Sequence, residues 1–479
     1  MKRGKRTPMK RYEQVAKGLT GQIEQGVYLP GERLPGVRRL SEQFSVSIST
    51  IMQAHQLLED RGLVQARPRS GYYVRTTLGR LPEQPAMTNP QPEPAHITGQ
   101  QMAMQLSRAT RQPGMIQLGA AIPHHSFLPT RAINRALLSV TRHQQQRSAG
   151  YEFPPGSAEL RQQIARRMLD AGCQVAPSEI IVTSGCQEAL ALCLRTVARA
   201  GDIIALESPT FYGLLQVVES LGLKALEIPT HPQHGISLDA LKLAIEQWPV
   251  KACAIVANFN NPMGYCMPDD NKQALVALLG EHGIALIEDD VYGDLAFDHH
   301  RPPAAKRFDT DGKVLYCSSF SKTLSPGLRL GWVVPGKYRE QMEYQKYITS
   351  LAAPTLPQLA IADFLQRGGY DRYLRQVRGQ YARQVARITR AVGRYFPEGT
   401  RVTQPAGGFV IWVELPENTD AMAIFHRALA KGISIAPGPI FSAARKYTNF
   451  IRINCAQPWD EQLEAAIALL GRLTLAQPD

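Results

Sequence analysis

Long apolar runs are missing from this 479-residue chain, and no stretch approaches the roughly 20 residues that a membrane-spanning helix needs. The basic opening MKRGKRTPMKR is not followed by an apolar segment, so the pattern of a secretory signal is lacking. Cysteine is sparse and unpatterned: seven residues, none before Cys173, with neither CxxC nor a His/Cys metal-ligand spacing. That distribution argues against a disulfide framework and against bound metal. Together these absences predict a cytoplasmic protein with free thiols. Acidic residues are scarce in one place. The first 80 residues hold fifteen Lys and Arg against six Asp and Glu, so most of the formal charge of +13 sits in the first sixth of the chain. A basic small domain suits a polyanionic partner, and a solvated basic face accounts for the charge equally well.

The chain is too long for one ordinary domain, and 44% hydrophobic with 20% charged residues is a globular composition. Residues 10–75 read as three helices and a hairpin. The first helix covers about 12–25 and stops at Gly26, the second about 37–44, and Ser47 caps a third in which Ile51, Ala54 and Leu58 share one face. Ser49, Gln53 and Gln56 lie opposite. LVQARPRSGYYV then gives two short apolar stretches around a basic turn, as a β wing does. Residues 76–112 change character: LPEQPAMTNPQPEPAHITG has five prolines and no period. This predicts an extended, semi-rigid spacer that lets its neighbours move independently. From 113 to 475, runs such as EIIVT, DIIALE, ACAIVA, IALIE, VLYCS and LGWVV are apolar on both faces and alternate with helical segments. They predict a mainly parallel sheet in an α/β large lobe, about 130–345. Helices around 371–395, the strand GGFVIWVEL and a final Ala/Leu-rich helix predict a smaller α+β lobe, about 346–475.

One run stands out, SSFSKTLSPGLRLGW at 318–332. A lysine among hydroxyl residues is ordinarily a surface lysine. This run, however, resembles the lysine motif of fold type I, pyridoxal-phosphate-dependent aminotransferases, and further motifs of that family follow in order across 115–470. The resemblance implies that Lys322 bonds covalently to the cofactor, which needs an amine able to become neutral. It places Asp289 of EDDVY against the pyridine nitrogen, where a carboxylate keeps that nitrogen protonated, with Asp290 as the alternative. Tyr292 and Asn261, the latter in NFNNPMG, would meet the phenolate oxygen. Gly185, Cys186 and Gln187 of TSGCQEALAL, at a strand-to-helix turn, would hold the phosphate together with Ser319, Ser321 and Arg329. Tyr151 of GYEFPPG would reach the phosphate of a neighbouring subunit, and Phe211, or else Tyr212, would stack on the ring. Each aromatic taken singly would read as core. Arg452 of NFIRINCA would grip a substrate α-carboxylate with its planar guanidinium. Two departures, GAAIP at 119–123 and His124–His125, touch the ligand space but not cofactor attachment.

Residues 12–74 resemble the GntR-type winged helix-turn-helix. That resemblance implies phosphate or base contact by Arg38, major-groove reading by Ser47, Ser49, Thr50 and Gln53, and a wing carrying Arg67, Arg69 and Gly71. Gly36 and Ile48 depart from the common Ser and Arg, and a purely structural three-helix module is the plain alternative. The fusion as a whole resembles the MocR subfamily of transcriptional regulators. It implies pyridoxal 5′-phosphate as cofactor, double-stranded DNA and a small amine or amino acid as partners, and a head-to-tail homodimer away from any membrane. An aminotransferase that also binds DNA is the second reading. A vestigial dimerisation module is disfavoured, because Lys322, Asp289, Tyr292, Asn261 and Arg329 are all present.

Overall fold

The computed structural model describes residues 10–24, 27–29, 31–67, 70–74, 81–88, 90, 93–97, 104–106, 108, 112–298 and 300–475. They divide into two compact units: Met1–Leu81 with the short segment Ala386–Arg394, and Pro82–Val385 with Tyr395–Asp479.

In the first unit, α1 (Arg11–Glu24), α2 (Val37–Gln43) and α3 (Ile48–Asp60) precede a hairpin of β1 (Val64–Arg67) and β2 (Gly71–Val74). Val15, Leu19 and Ile23 recur every four residues on α1. They bury against Ile51, Ala54 and Leu58 of α3, with Leu34, Leu40, Val64 and Val74 completing the core. Ser47 caps α3 as expected, its Oγ accepting the Thr50 N–H at 3.3 Å. Val64 pairs with Val74, and the strands narrow to Arg67 opposite Gly71, whose φ of +108° suits glycine.

The second unit is built on one sheet. Its strands lie in the spatial order Ala95–His96, Lys224–His231, Ile203–Ser208, Val250–Ile255, Ala285–Asp289, Val314–Ser319, Gly331–Val334, Ile181–Thr183. From Lys224–His231 through Val314–Ser319 the pairings are parallel; Gly331–Val334 is antiparallel to both neighbours. The central strands are buried along nearly their whole length, which is why they read as continuous apolar runs. A smaller antiparallel sheet follows, Arg401–Val402, Val410–Glu414, Phe450–Asn454 and Ala436–Pro437 in that order.

Two sequence expectations change. Lys224–His231 was not among the predicted strands: KALEIPTH carries Glu227 and Pro229, which break the apolar run. Glu227 is tolerated because its carboxylate accepts the Ser442 hydroxyl and the Ala443 N–H, both at 3.1 Å. The expectation of a free spacer also fails for its described part. Ala95–His96 pairs with Lys224 and Ala225, the Thr88 hydroxyl donates to Ser208 O at 2.7 Å, and Glu83 O accepts Val402 N–H at 2.7 Å. Proline-rich chain lacks donors, yet its remaining amides and hydroxyls dock on the large unit's edge.

Candidate functional site

Parallel strands place the residues just beyond their C-terminal ends around one crevice. Here those residues are Pro209–Phe211 after Ile203–Ser208, Val256–Asn261 after Val250–Ile255, Asp289–Tyr292 at the end of Ala285–Asp289, and Ser321–Lys322 after Val314–Ser319. They surround a cavity of about 260 Å³ lined by Lys322, Asp289, Tyr292, Asn261, Cys186, Gln187, Phe211, Ser319, Ser321 and Arg329. Sequence reasoning named all ten. It did not name the apolar wall of Ile122, Leu190, Val256, Val291 and Pro326; four of these sit within the quoted motifs, but as apolar residues beside the ones that carry the chemistry.

Lys322 Nζ donates to Ala121 O at 2.7 Å. Burial lowers its pKa to about 8, and the Arg452 charge pushes the same way. Asp289 is buried and moves oppositely, to about 6, with the Cys186 thiol (3.5 Å) and the Val291 N–H (3.2 Å) donating to Oδ1 and tempering the rise. Asp290 projects elsewhere. Its carboxylate accepts from Arg301 Nη2 at 2.6 Å, the Tyr316 hydroxyl at 2.9 Å and Asn258 Nδ2 at 3.0 Å, and it does not line this cavity. Tyr292 is 2% exposed, and its hydroxyl makes no well-formed hydrogen bond among the described residues, with the Asn261 side chain facing it. Burial raises that phenol's pKa against the pull of Arg452.

The turn at Ser184–Cys186 leads into the helix Cys186–Val197, so its first N–H groups open onto the cavity. Gly185 has φ +87°, and a Cβ there would lie 2.5 Å from the Arg329 guanidinium, which donates to Ser184 O at 3.0 Å. Gly185 is therefore fixed by close approach as well as by backbone conformation. Gln187 is held by its Nε2 donating to Gly213 O at 2.8 Å. Of the two aromatic alternatives, Phe211 lines the cavity, whereas Tyr212 packs its ring 5.5 Å from that of Phe441.

Arg452 stands on the strand Phe450–Asn454 and is completely buried. Nη1 donates to Asn261 Oδ1 at 2.9 Å, Nη2 donates to Gly119 O, and Nε has no partner among the described residues. The segment at Gly119–Ala121 thus takes up donors from both Arg452 and Lys322. Tyr151 is 70% exposed and stacks on Phe153 at 5.4 Å, outside its own chain's cavity. The rings of His124 and His125 lie 4.0 Å apart, tilted by 40°, and neither lines the cavity.

A further acid, missed in the sequence, organises the asparagine loop. Buried Glu207 accepts the Val256 N–H and Asn260 Nδ2, each at 2.9 Å, and the Tyr265 hydroxyl. It fixes the turn that presents Asn261. Only its place before the SPTFY run could have hinted at it.

In the first unit, Arg38, Ser47, Ser49 and Gln53 are exposed and Thr50 is half-buried. Ser47 shares its Oγ with Ser49 and Thr50 at 2.8 Å each, so its hydroxyl is committed to the helix start. Arg67 lies 4.2 Å over the Tyr73 ring. Arg69, the other wing arginine, lies outside the described residues.

Fold and sequence define the class. The model for aminotransferase class I and II matches residues 113–470, and that for bacterial regulatory proteins of the gntR family matches 11–74. The chain belongs to the aminotransferase class I and II family, whose members in general use pyridoxal phosphate, with a GntR-type DNA-binding domain in front. Similar proteins share this plan. It is 43% identical to the uncharacterized HTH-type transcriptional regulator YjiR of Escherichia coli K12, over 97% of this chain and 98% of that one, and 40% identical to YdcR of the same organism, over 97% and 99%. Among solved structures, Pyrococcus horikoshii kynurenine aminotransferase superposes with a TM-score of 0.73 at 27% identity, over 79% of this chain and 95% of that one. The α-aminoadipate aminotransferase LysN of Thermus thermophilus, solved with N-(5′-phosphopyridoxyl)-L-leucine, gives 0.72 at 27% identity, over 79% and 95%. Among the described residues no helix is long and apolar enough to cross a membrane, and no cluster of His, Cys, Asp and Glu could hold a metal.

Proposed function

We propose that this protein is a transcriptional regulator that binds double-stranded DNA through residues 10–75, holds pyridoxal 5′-phosphate in its 113–475 domain, and responds to that cofactor or to an amine or amino acid reacting with it. Residues 76–112 join the two. The observation that carries the reading is the likeness, over 97% of the chain, to HTH-type regulators rather than to free-standing aminotransferases alone.

The residues suit the cofactor. An orphaned buried phenol at Tyr292, a glycine cradle at Gly185 beside Arg329, and a donor set of Ser319, Ser321 and a helix start fit a flat ring bearing a phosphate. When bound, pyridoxal phosphate supplies an electron-withdrawing ring that labilises bonds beside an attached amine. Lys322, its pKa lowered to about 8, offers a neutral amine at moderate pH for covalent attachment and afterwards a group able to carry a proton. Asp289 would hold a proton on the pyridine nitrogen. Tyr292 and Asn261 would donate to the phenolate oxygen, Phe211 would cover the ring, and Gly185, Cys186, Gln187, Ser319, Ser321 and Arg329 would take the phosphate. Arg452 would grip a ligand carboxylate after releasing Gly119 O. Tyr151, exposed on its own chain, would complete the partner's site in a head-to-tail homodimer.

The second reading, a working aminotransferase that also binds DNA, draws on the presence of both Lys322 and Arg452 and on 30% identity to a 2-aminoadipate transaminase of Thermus thermophilus over 77% of this chain. Mixing the cofactor-loaded protein with candidate amines, while following absorbance and keto-acid release, separates the two. A spectral shift without repeated product supports the regulator; sustained turnover sinks it in favour of the enzyme. Gel shifts across salt concentrations test the DNA arm, because phosphate contacts impose a steep salt slope.

A further inference from the structure

The helix Gly369–Tyr395 carries seven arginines and, from Arg372 to Arg394, no aspartate or glutamate. Its buried face is mainly apolar, with Leu374, Val377, Tyr381, Val385 and Ile388 at helical spacing and Arg378, Gln384 and Thr389 buried at its margins. Packing explains that face but not the opposite one. Arg372 and Arg375 are exposed and Arg383 is half-buried. At 3.6 residues per turn the three fall within an arc of roughly 80° on the solvent side and spread along ~16 Å. Asp371, the acid at the helix start, is committed to Arg167 at 2.6 Å. The cationic face continues past the helix start. Gly369 lines a cavity of about 270 Å³ with Arg135 and Arg367, where Arg135 is exposed and Arg367 pairs with Asp363 at 2.9 Å.

A helix face that merely meets water is usually mixed in sign, since opposite charges three or four residues apart stabilise it and like charges repel. This face carries the repulsion uncompensated by acids of its own helix. It is also built of guanidinium groups, whose planar forks match phosphate oxygens in pairs. No large apolar side chain is exposed anywhere on Gly369–Tyr395. A protein partner would want such an anchor at the centre of its interface, whereas a nucleic-acid backbone does not.

We propose that Arg372, Arg375 and Arg383, with Arg135 and Arg367 at their end, form a second, sequence-independent contact for the phosphate backbone of double-stranded DNA. The inference rests on the DNA-binding reading above and adds a DNA surface to the aminotransferase-like unit. At one phosphate charge per 1.7 Å of duplex axis, ~16 Å of arginine face matches roughly five base pairs. The contact reads no bases; its work is to tighten binding to extended DNA and to steepen its salt dependence.

The test uses the full-length, cofactor-loaded protein and random-sequence duplexes of about 15 and about 60 base pairs, with affinities read by fluorescence anisotropy over a salt series. The triple variant Arg372→Gln/Arg375→Gln/Arg383→Gln should bind the long duplex about ten-fold more weakly at low salt, with a log–log salt slope lower by roughly 2 to 3. The short duplex, which offers fewer phosphates, should lose less. Circular dichroism and the bound-cofactor spectrum check folding, and single Arg→Gln variants should each remove about one unit of slope. Unchanged long-duplex affinity and slope in a folded triple variant would overturn the proposal while leaving the regulator reading intact. Loss of binding to polyglutamate with DNA binding unchanged would assign the face to an acidic protein and overturn it too. If wild-type protein bound neither duplex, the regulator reading itself would fall, and this inference with it.

Discussion

Asp289 and Asp290 follow one another at a strand end, where successive side chains project to opposite faces of the sheet. One therefore meets the cavity lined by Lys322 and the other the buried cluster of Arg301, Tyr316 and Asn258. Their asparagine variants should differ in kind. Asp290→Asn leaves Arg301 under-compensated and should cost about 3–5 kcal/mol, seen as a lower unfolding midpoint with the cofactor spectrum little changed. Asp289→Asn should leave the midpoint nearly unmoved and weaken or shift the bound-cofactor band. Lys322 gives the second residue-scale prediction. With its pKa at about 8, the neutral amine rises from roughly a tenth of molecules at pH 7 to half at pH 8. Capture of added pyridoxal phosphate by the apoprotein should accelerate through that range, and borohydride should fix the label in wild type but not in Lys322→Ala. A label that persists in the alanine variant would remove Lys322 from the site.

At the scale of elements, the helix start at Gly185 and the helix α3 each rest on one unusual residue. Gly185→Ala forces a side chain into φ +87° and onto the Arg329 guanidinium, so cofactor affinity should fall at least about ten-fold, readable by spectral titration. His55 of α3 is 1% exposed, its ring lies tilted 4.3 Å from that of Tyr72, and neither ring nitrogen has a partner among the described residues. Burial depresses its pKa from 6.5 to about 4. The unfolded chain thus binds the proton first, and the stability that neutral His55 permits is whole above pH 6.5 and is lost as pH falls toward 4. The first unit's unfolding midpoint should drop across that window, and His55→Phe should flatten the dependence. These elements also show what a sequence can disclose. The helices of the first unit and the central strands were legible to within a few residues, because helical period and continuous apolar runs report burial directly. The strand Lys224–His231 was not, since the partners that make Glu227 acceptable lie more than 200 residues away. Within the site, motif positions were readable, but the apolar wall and Glu207 were not, because they act by packing and by support rather than by side-chain type.

For the whole molecule, the exposure of Tyr151 makes subunit mixing informative. Combining Lys322→Ala chains with Tyr151→Phe chains should regenerate tight cofactor binding in about one site of four, because only the mixed dimer pairs an intact lysine with an intact tyrosine. No recovery would place the tyrosine's action within its own chain, or nowhere. Communication between DNA and ligand is reciprocal in free energy. An amine that changes DNA affinity in wild type should itself bind with changed affinity when DNA is present, and both effects should vanish in Lys322→Ala. The spacer's described part, by contrast with what its proline content implied, is hydrogen-bonded to the large unit.

The carbonyls of Gly119 and Ala121 accept from Arg452 and Lys322 respectively. A carboxylate or an aldehyde that engages these two groups therefore exchanges one partner for another instead of satisfying an idle donor. The backbone behaves as a tethered competitor, and the affinity for any such ligand should reflect how firmly that tether holds. Ser434 and Ile435 crowd Gly119, where an added Cβ would sit 2.9 Å from the Ser434 hydroxyl and from Ile435 O. Substitutions at those two neighbours should shift the affinity for a carboxylate or an aldehyde, readable by spectral titration, while every ligand-touching side chain stays the same.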